Sequence, residues 1–562
     1  MARKWKQNRQ SVCIFWAALA LALGIGETAH AATGSAIPKV DEVTLQTLKL
    51  RDQVDVVIGL EDQADLGQAS AMTDASARGW YVFQRLRDTA DRSQGPLVDW
   101  LTARGLPVQR FWAINAVVST VDQKTLALLA ARPDVRYIEA NAAQRWIEPD
   151  ILMDKELTPS FLTAAPEWGV QAVNAPQVWA LGSYGQGIVI GNADTGMQWD
   201  HPAIKTHYRG YSVAAPVSHD YNWHDAIHGV SGNPCGADSP APCDDQGHGT
   251  HTTGTVVGDD GMGNQIGVAP LAHWIGCRNM DRGVGTPARY IECFQFFIAP
   301  TDGKGLHPDP DLRPHVLNNS WGCPTSEGCS VNSLKLIVEN TQAAGIFVEA
   351  SAGNAGPACS TVNDGPAIFS ATFSVGALDS MGKLAGFSSR GPVTVDGSGR
   401  MKPELSAPGV RVRSCLPGNR YGNLSGTSMA GPHVVGVIAL LWSARPELSR
   451  QIAFTKALLV ASANPIVTLS LAELCGGVSS DFFPNNSFGA GRVDALAVDA
   501  ALGEGAGERA FGRRATDVHR IEPQEPLAHA GHFFEREKSL ELATEDVNRR
   551  VHEAPCPARV AR

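Results

Sequence analysis

Four residues of this chain could together turn a hydroxyl into a nucleophile. Asp194 follows the apolar run 187–193 and opens the turn Asp194-Thr195-Gly196. His248 lies between Gly247 and Gly249 in DDQGHGTHTTGTVVG, residues 244–258. Asn354 ends the small-residue stretch FVEASAGN, residues 347–354. Ser428 lies in NLSGTSMAGPHVVGVIALL, residues 423–441. A serine attacks a carbonyl only when a base takes its proton, an acid orients that base and a donor meets the developing negative charge. His248, Asp194 and the Asn354 amide would fill those roles. The backbone N–H of Ser428 would be a second donor, because a helix start presents free N–H groups and a dipole that favours negative charge.

Each residue has a plainer reading when taken alone. Asp194 and Asn354 could cap turns, and His248 could be an exposed histidine. Ser428 could cap a helix that has Pro432 in its first turn. His248 and His251, one helical turn apart, have a spacing that suits zinc, but no carboxylate sits in that turn. The chain order Asp, His, Asn, Ser is what raises the reactive reading above these.

The elements that must position these residues follow from periodicity. Apolar runs of strand length recur at 187–193, 273–278, 315–320, 346–350 and 373–377, with helical stretches at 247–257, 287–298 and 331–344 between most of them. Fully apolar strands alternating with helices predict a mostly parallel sheet covered on both faces. Ligands bind at the carboxyl ends of such strands, where Asp194 and Asn354 fall. Residues 32–145 read as a separate small α+β unit. It has strands at 54–60, 111–121 and 135–138, a helix at 126–131, and Tyr81, Phe83 and Leu86 on one helical face. Residues 146–166 carry prolines and no periodicity, and read as a linker. Residues 502–562 read as a charged, solvated tail.

With 562 residues, 43% of them apolar, the chain exceeds one ordinary domain. A net charge of −10 gives no basic footprint, so nucleic acid is not expected as a partner. Residues 1–31 carry a basic region, a short apolar run and Ala29-His30-Ala31, the pattern of a cleaved secretory signal. No later run reaches the length of a spanning helix, so no membrane association is expected once the signal is removed. Of eleven cysteines Cys13 leaves with the signal, and export makes disulfides the expected use of the other ten. Cys235–Cys243, Cys323–Cys329 and Cys277–Cys293 are close enough to pair, whereas Cys359, Cys415, Cys475 and Cys556 cannot be paired from sequence. No CxxC pair is present to favour a zinc site.

DTG at 194–196, GHGTH at 247–251, SAGN at 351–354 and GTSMAGP at 426–432 resemble, in that order, the four signatures of the subtilisin-like serine proteases. The resemblance covers about 167–501. WALGSYGQGIVIGNADTGMQWDHPAIKTHYRGY and VLNNSWG are most similar to the bacillopeptidase F group of that family. The resemblance implies an α/β subtilisin-like fold over 167–501. Residues 32–145 would be its propeptide, a folding chaperone and intramolecular inhibitor, and maturation cleavage would fall in 146–166. It implies a secreted serine endopeptidase, extracellular or held at the periplasm or cell surface. Protein or peptide substrates would be cut through an Asp194-His248-Ser428 triad and an acyl-enzyme, with Asn354 and the Ser428 N–H as oxyanion hole. Gly283, Val284 and Gly285, with Ser320, Trp321 and Gly322, would flank an extended substrate. Ser351, Ala352 and Gly353 would line the primary pocket, with Asn363 near its base and no carboxylate placed there. No cofactor is required for this chemistry and no metal ligand is assigned. Structural calcium stays open, but Ala203 stands where many members carry a calcium-binding Asp.

Overall fold

The computed structural model describes residues 39–145, 165–229 and 232–501, and the backbone of 153–158. The expected signal segment, the tail 502–562, Cys13 and Cys556 lie outside the described residues. All described residues but Lys39 belong to one compact unit that begins at Val40.

The first layer is an antiparallel sheet of four strands: β1 (Val54–Leu60), β2 (Gln109–Phe111), β3 (Ala116–Val121) and β4 (Val135–Ala140), in the order β2-β3-β1-β4. Side chains alternate across a strand, and β1 uses both faces. Val54, Val56, Ile58 and Leu60 join Leu97, Leu101, Val117 and Leu129 in a core of their own. Val57 points the other way, into a core shared with the helices Pro287–Ile298 and Lys335–Ala343. The single strand expected over 111–121 is broken in two, because Asn115 takes a left-handed conformation (φ 47°), which asparagine tolerates better than most residues. The helix Ala75–Ser93 buries Val82 and Leu86, while Tyr81 and Phe83 stay half-buried. The stretch read as a linker contains β6 (Met153–Thr158), and β5 (Gln144–Arg145) lies just before it.

The second layer is a seven-stranded parallel sheet. Its strands are β7 (Val189–Asp194), β8 (Trp223–Asp225), β9 (His273–Arg278), β11 (Val316–Asn319), β12 (Phe347–Ser351), β13 (Phe373–Leu378) and β14 (Leu405–Pro408). The spatial order is β14-β13-β12-β11-β7-β9-β8, and every pairing is parallel. Alternation again divides the core. Val316 and Phe347 face the helix Thr427–Ala444, whereas their neighbours Leu317 and Val348 face the helices Pro287–Ile298 and Lys335–Ala343. Among the described residues, Thr427–Ala444 is the one helix long and apolar enough to cross a membrane, and it is buried in the protein. Outside the sheet, β10 (Val284–Gly285) pairs with β5, and β15 (Val412–Leu416) and β16 (Arg420–Leu424) form an antiparallel ribbon that β6 extends.

The three expected disulfides are present, and Cys359–Cys475 is a fourth that sequence could not assign. It closes a loop across 116 residues. In the loop-closure account such a link destabilises the unfolded chain by about 5 kcal/mol. Cys415 is buried and unpaired.

Candidate active site

Asp194 ends β7 with no exposure to solvent. A buried carboxylate needs donors, and it has several. Thr195 N donates to Oδ1 at 2.7 Å, and Thr252 Oγ1 to Oδ2 at 3.3 Å. His248 Nδ1 lies 2.8 and 3.0 Å from the two oxygens. Since a carboxylate only accepts, Nδ1 carries the imidazole proton and Nε2 is left with a lone pair. Nε2 is buried without a hydrogen-bond partner. The histidine opens the helix His248–Val257, and small neighbours let that helix close on β7: a Cβ on Gly249 would lie 2.1 Å from Gly196 O.

Asp244, which sequence reasoning passed over, organises this junction. Its Oδ1 accepts from Thr195 Oγ1 and from the N–H groups of Gln246 and Gly247, and its Oδ2 from Thr250 N and Oγ1. Thr195 Oγ1 in turn accepts from Gly249 N at 3.0 Å. The signal was an acid four residues before a glycine-flanked helix start, which local propensity does not separate from an ordinary turn.

Ser428 is the second residue of the helix Thr427–Ala444, whose N-cap is Gly426 with no side-chain cap bond. The helix therefore begins at Thr427, and Pro432 sits inside it rather than in a first turn opened by a serine cap. Proline has no N–H to give to the carbonyl four residues back, which here belongs to Ser428. Ser320 Oγ donates to that carbonyl instead, at 3.1 Å. The Ser428 hydroxyl returns a bond to Ser320 O at 3.1 Å rather than to His248. Catalytic hydrogen bonds of this kind often tighten only with substrate in place.

Asn354 is oriented by the same helix. Its Oδ1 accepts from Thr427 N at 2.9 Å and Thr427 Oγ1 at 3.0 Å. The amide is exposed, so its Nδ2 is the end left to donate. Thr427 Oγ1 also takes Gly353 N at 3.2 Å, stitching the end of β12 to the helix.

The expected substrate-flanking residues fall on two segments. Val284–Gly285 is β10, already paired antiparallel with the protein's own β5: Val284 faces Arg145 and Gly285 faces Gln144. Gly283 has φ +82°. On the other segment Ser320 is buried and the Trp321 indole is a core group, stacked on Tyr290 at 4.0 Å and donating to Ala193 O at 3.0 Å. Trp321 and Gly322 therefore have main chain, not an indole, to present. Ser351 and Ala352 are buried, Gly353 has φ +103°, and Asn363 is exposed. Residues 361–365 bridge these parts. Cys323 N bonds Gly365 O at 2.7 Å, Val362 N bonds Arg390 O at 2.9 Å, and Ser389 N bonds Gly353 O at 2.9 Å. Asp364 in this bridge is a carboxyl that sequence reasoning did not place beside Asn363. Burial pushes its pKa up to about 7, so its charge changes near neutral pH.

His251 Nε2 is engaged with Val412 O at 2.9 Å, and burial pushes its pKa down to about 3. Ala203 is a buried methyl group, and Asp200 Oδ1 takes a bond from Gln198 Nε2. Ala203 offers no side-chain oxygen to a calcium ion. Among the described residues no group of three or more His, Cys, Asp or Glu side chains could hold a metal.

Residues 185–498 match the model of the subtilase family. The chain belongs to the subtilase family. It is 36% identical over 445 residues to Bacillopeptidase F of Bacillus subtilis, covering 76% of this chain and 29% of that protein. It therefore spans less than a third of that relative's length. Identity to Subtilisin E of Bacillus subtilis is 28% over 381 residues, covering 67% of this chain and 84% of the relative. Identity to the Thermostable alkaline protease of Halalkalibacterium halodurans is 31% over 341 residues, covering 60% and 76%. The parallel sheet with helices on both faces is the α/β subtilisin fold.

Proposed function

We propose that this subtilase is a secreted serine endopeptidase made as a self-processed precursor. The observation that carries this reading is the fully buried Asp194 carboxylate holding His248 Nδ1 at 2.8 Å and so leaving Nε2 as a base. Ser428 Oγ attacks the scissile carbonyl and passes its proton to Nε2. The oxyanion meets Asn354 Nδ2 and the Ser428 N–H. Asp194 stabilises the imidazolium, which then gives its proton to the leaving amine. The acyl-enzyme is released when water repeats the sequence with Nε2 as base. The test is phenylmethylsulfonyl fluoride followed by peptide mass analysis. Loss of activity with the label on Ser428 is expected, and full activity with Ser428 unlabelled would sink the reading.

The oxyanion role of Asn354 has its own prediction. Asn354→Leu keeps the size of the side chain and removes the donor. It is expected to lower kcat by about 10² to 10³ with little change in KM, the loss known for the oxyanion amide of subtilisin itself. Steady-state kinetics on a peptide anilide reads it.

Residues 32–145 act in this proposal as propeptide and inhibitor. Support comes from the β5–β10 pairing, which lays the end of that segment along Val284–Gly285 as an added strand. N-terminal sequencing of the mature protein is expected to start within 146–166. A mature chain that still begins near residue 32 would contradict it. The four disulfides and the basic-then-apolar N-terminus support export. No cofactor enters any step, and calcium at Ala203 is not part of the proposal.

A further inference from the structure

Strand β12 carries a carboxyl group among apolar neighbours. Glu349 lies between Val348 and Ala350, fully buried, on the strand that runs on to Asn354. Its Oε2 takes one long hydrogen bond, from Asn319 N at 3.4 Å, and Asn319 Nδ2 donates back to the Glu349 carbonyl at 2.9 Å. Its Oε1 has no hydrogen-bond partner. That oxygen is aimed at the Ser428 helix: a Cβ on Gly431 would lie 2.1 Å from it. Gly431 is three residues beyond Ser428, and Asn319 precedes Ser320, which exchanges two hydrogen bonds with Ser428. One side chain thus touches the helix that carries Ser428 and the end of β11, next to the serine that holds its carbonyl and hydroxyl. It does so from the strand that ends in the Asn354 amide.

A buried carboxyl with so few donors does not stay ionised. Burial raises its pKa well above the usual range, so it is a neutral acid at neutral pH, with one O–H to donate. An apolar side chain of similar length would fill the same space without an unsatisfied polar atom, whose burial costs stability. Local choices that cost stability are expected at functional sites.

We propose that Glu349 is a positioning residue, holding the Ser428 helix and the end of β11 at 318–320 in register with the strand that leads to Asn354. This rests on the reading of Ser428 as nucleophile and Asn354 as oxyanion donor. Glu349 touches no substrate and moves no proton. It sets the distance between the attacking oxygen and the amide that meets the oxyanion.

The test uses the matured full chain and the variants Glu349→Gln, Glu349→Met and Gly431→Ala, with kcat, KM, melting temperature and the rate of Ser428 labelling by a fluorophosphonate. Glutamine keeps a neutral donor and acceptor, and is expected to hold kcat near the wild-type value. Methionine fills the space without them. It is expected to lower kcat and the labelling rate by about 10- to 100-fold, the effect of misplacing reacting groups by an ångström or less. KM and melting temperature should then be no worse than wild type. Gly431→Ala, which displaces the carboxyl, should lower kcat in the same way and covers the case in which the methionine variant does not fold. Wild-type kcat in the methionine variant or in Gly431→Ala overturns the proposal, as does a glutamine variant as slow as methionine. A wild-type protein that hydrolyses peptides yet takes no label at Ser428 defeats the reading of the site instead.

Discussion

Ser428→Ala is expected to lose about 10⁶ in kcat and to remain unprocessed. The magnitude is the one known for subtilisin's own nucleophile, carried over to a relative. The physical grounds are in this structure. The hydroxyl sits at the second residue of a helix whose N-terminal N–H groups have no partner within the helix, so charge that develops on the substrate oxygen meets fixed dipoles. Alanine keeps the helix and its dipole but removes the atom that makes the acyl bond. The fold should be unaffected, because the hydroxyl's one bond, to Ser320 O, contributes about 1 kcal/mol. Intact mass and N-terminal sequence of wild type and variant, expressed with export, decide the matter. A variant that keeps residues 32–145 while wild type loses them marks Ser428 as the nucleophile of its own maturation. Equal trimming of both would assign maturation to another protease and leave the peptide assay as the test.

The second large effect is expected at Asp194. Asp194→Ala should lower kcat by about 10⁴, again by analogy with the corresponding loss in subtilisin. The acid takes no proton itself. It fixes which imidazole nitrogen is protonated and offsets the charge that forms on the ring. In this chain the dependence is sharpened by burial, since both residues are almost fully hidden. Without the carboxylate, Nδ1–H has no acceptor and the ring can turn or change tautomer, so that Nε2 no longer faces the serine as a base. KM should move little, because Asp194 lies behind the histidine. A fall of less than about tenfold in kcat, in a variant shown to be folded, would contradict the assigned role.

Much of this was legible in the sequence because it is local. The strands at 273–278 and 373–377 fall on β9 and β13, since a buried parallel strand is a plain apolar run between turns. Three disulfides could be read because their cysteines lie 6, 8 and 16 residues apart. What could not be read depends on partners distant in the chain. Cys359 and Cys475 are 116 residues apart. β6 looks like linker because its order comes from β16, not from its own pattern. Glu349 is a carboxyl in an otherwise apolar strand, but the glycine that makes room for it lies on another element. Propensity also misplaced the start of the Ser428 helix. Its first turns hold Thr427, Ser428, Gly431 and Pro432, poor helix formers, and the helix is packed against β11 and β12.

The bridge from Cys359 to Cys475 has a bearing on how such a protein survives its own kind. The interval it encloses contains Ser428, while Asp194, His248 and Asn354 lie before it. The same interval includes the exposed loop 394–399 with its two glycines, the sort of surface that proteases cut first. A single cut there does not yield two molecules. The pieces stay covalently joined, and Ser428 remains tethered to the strand that holds Asn354. Nicking in that loop is damage the molecule carries without coming apart, until a reductant opens the bridge.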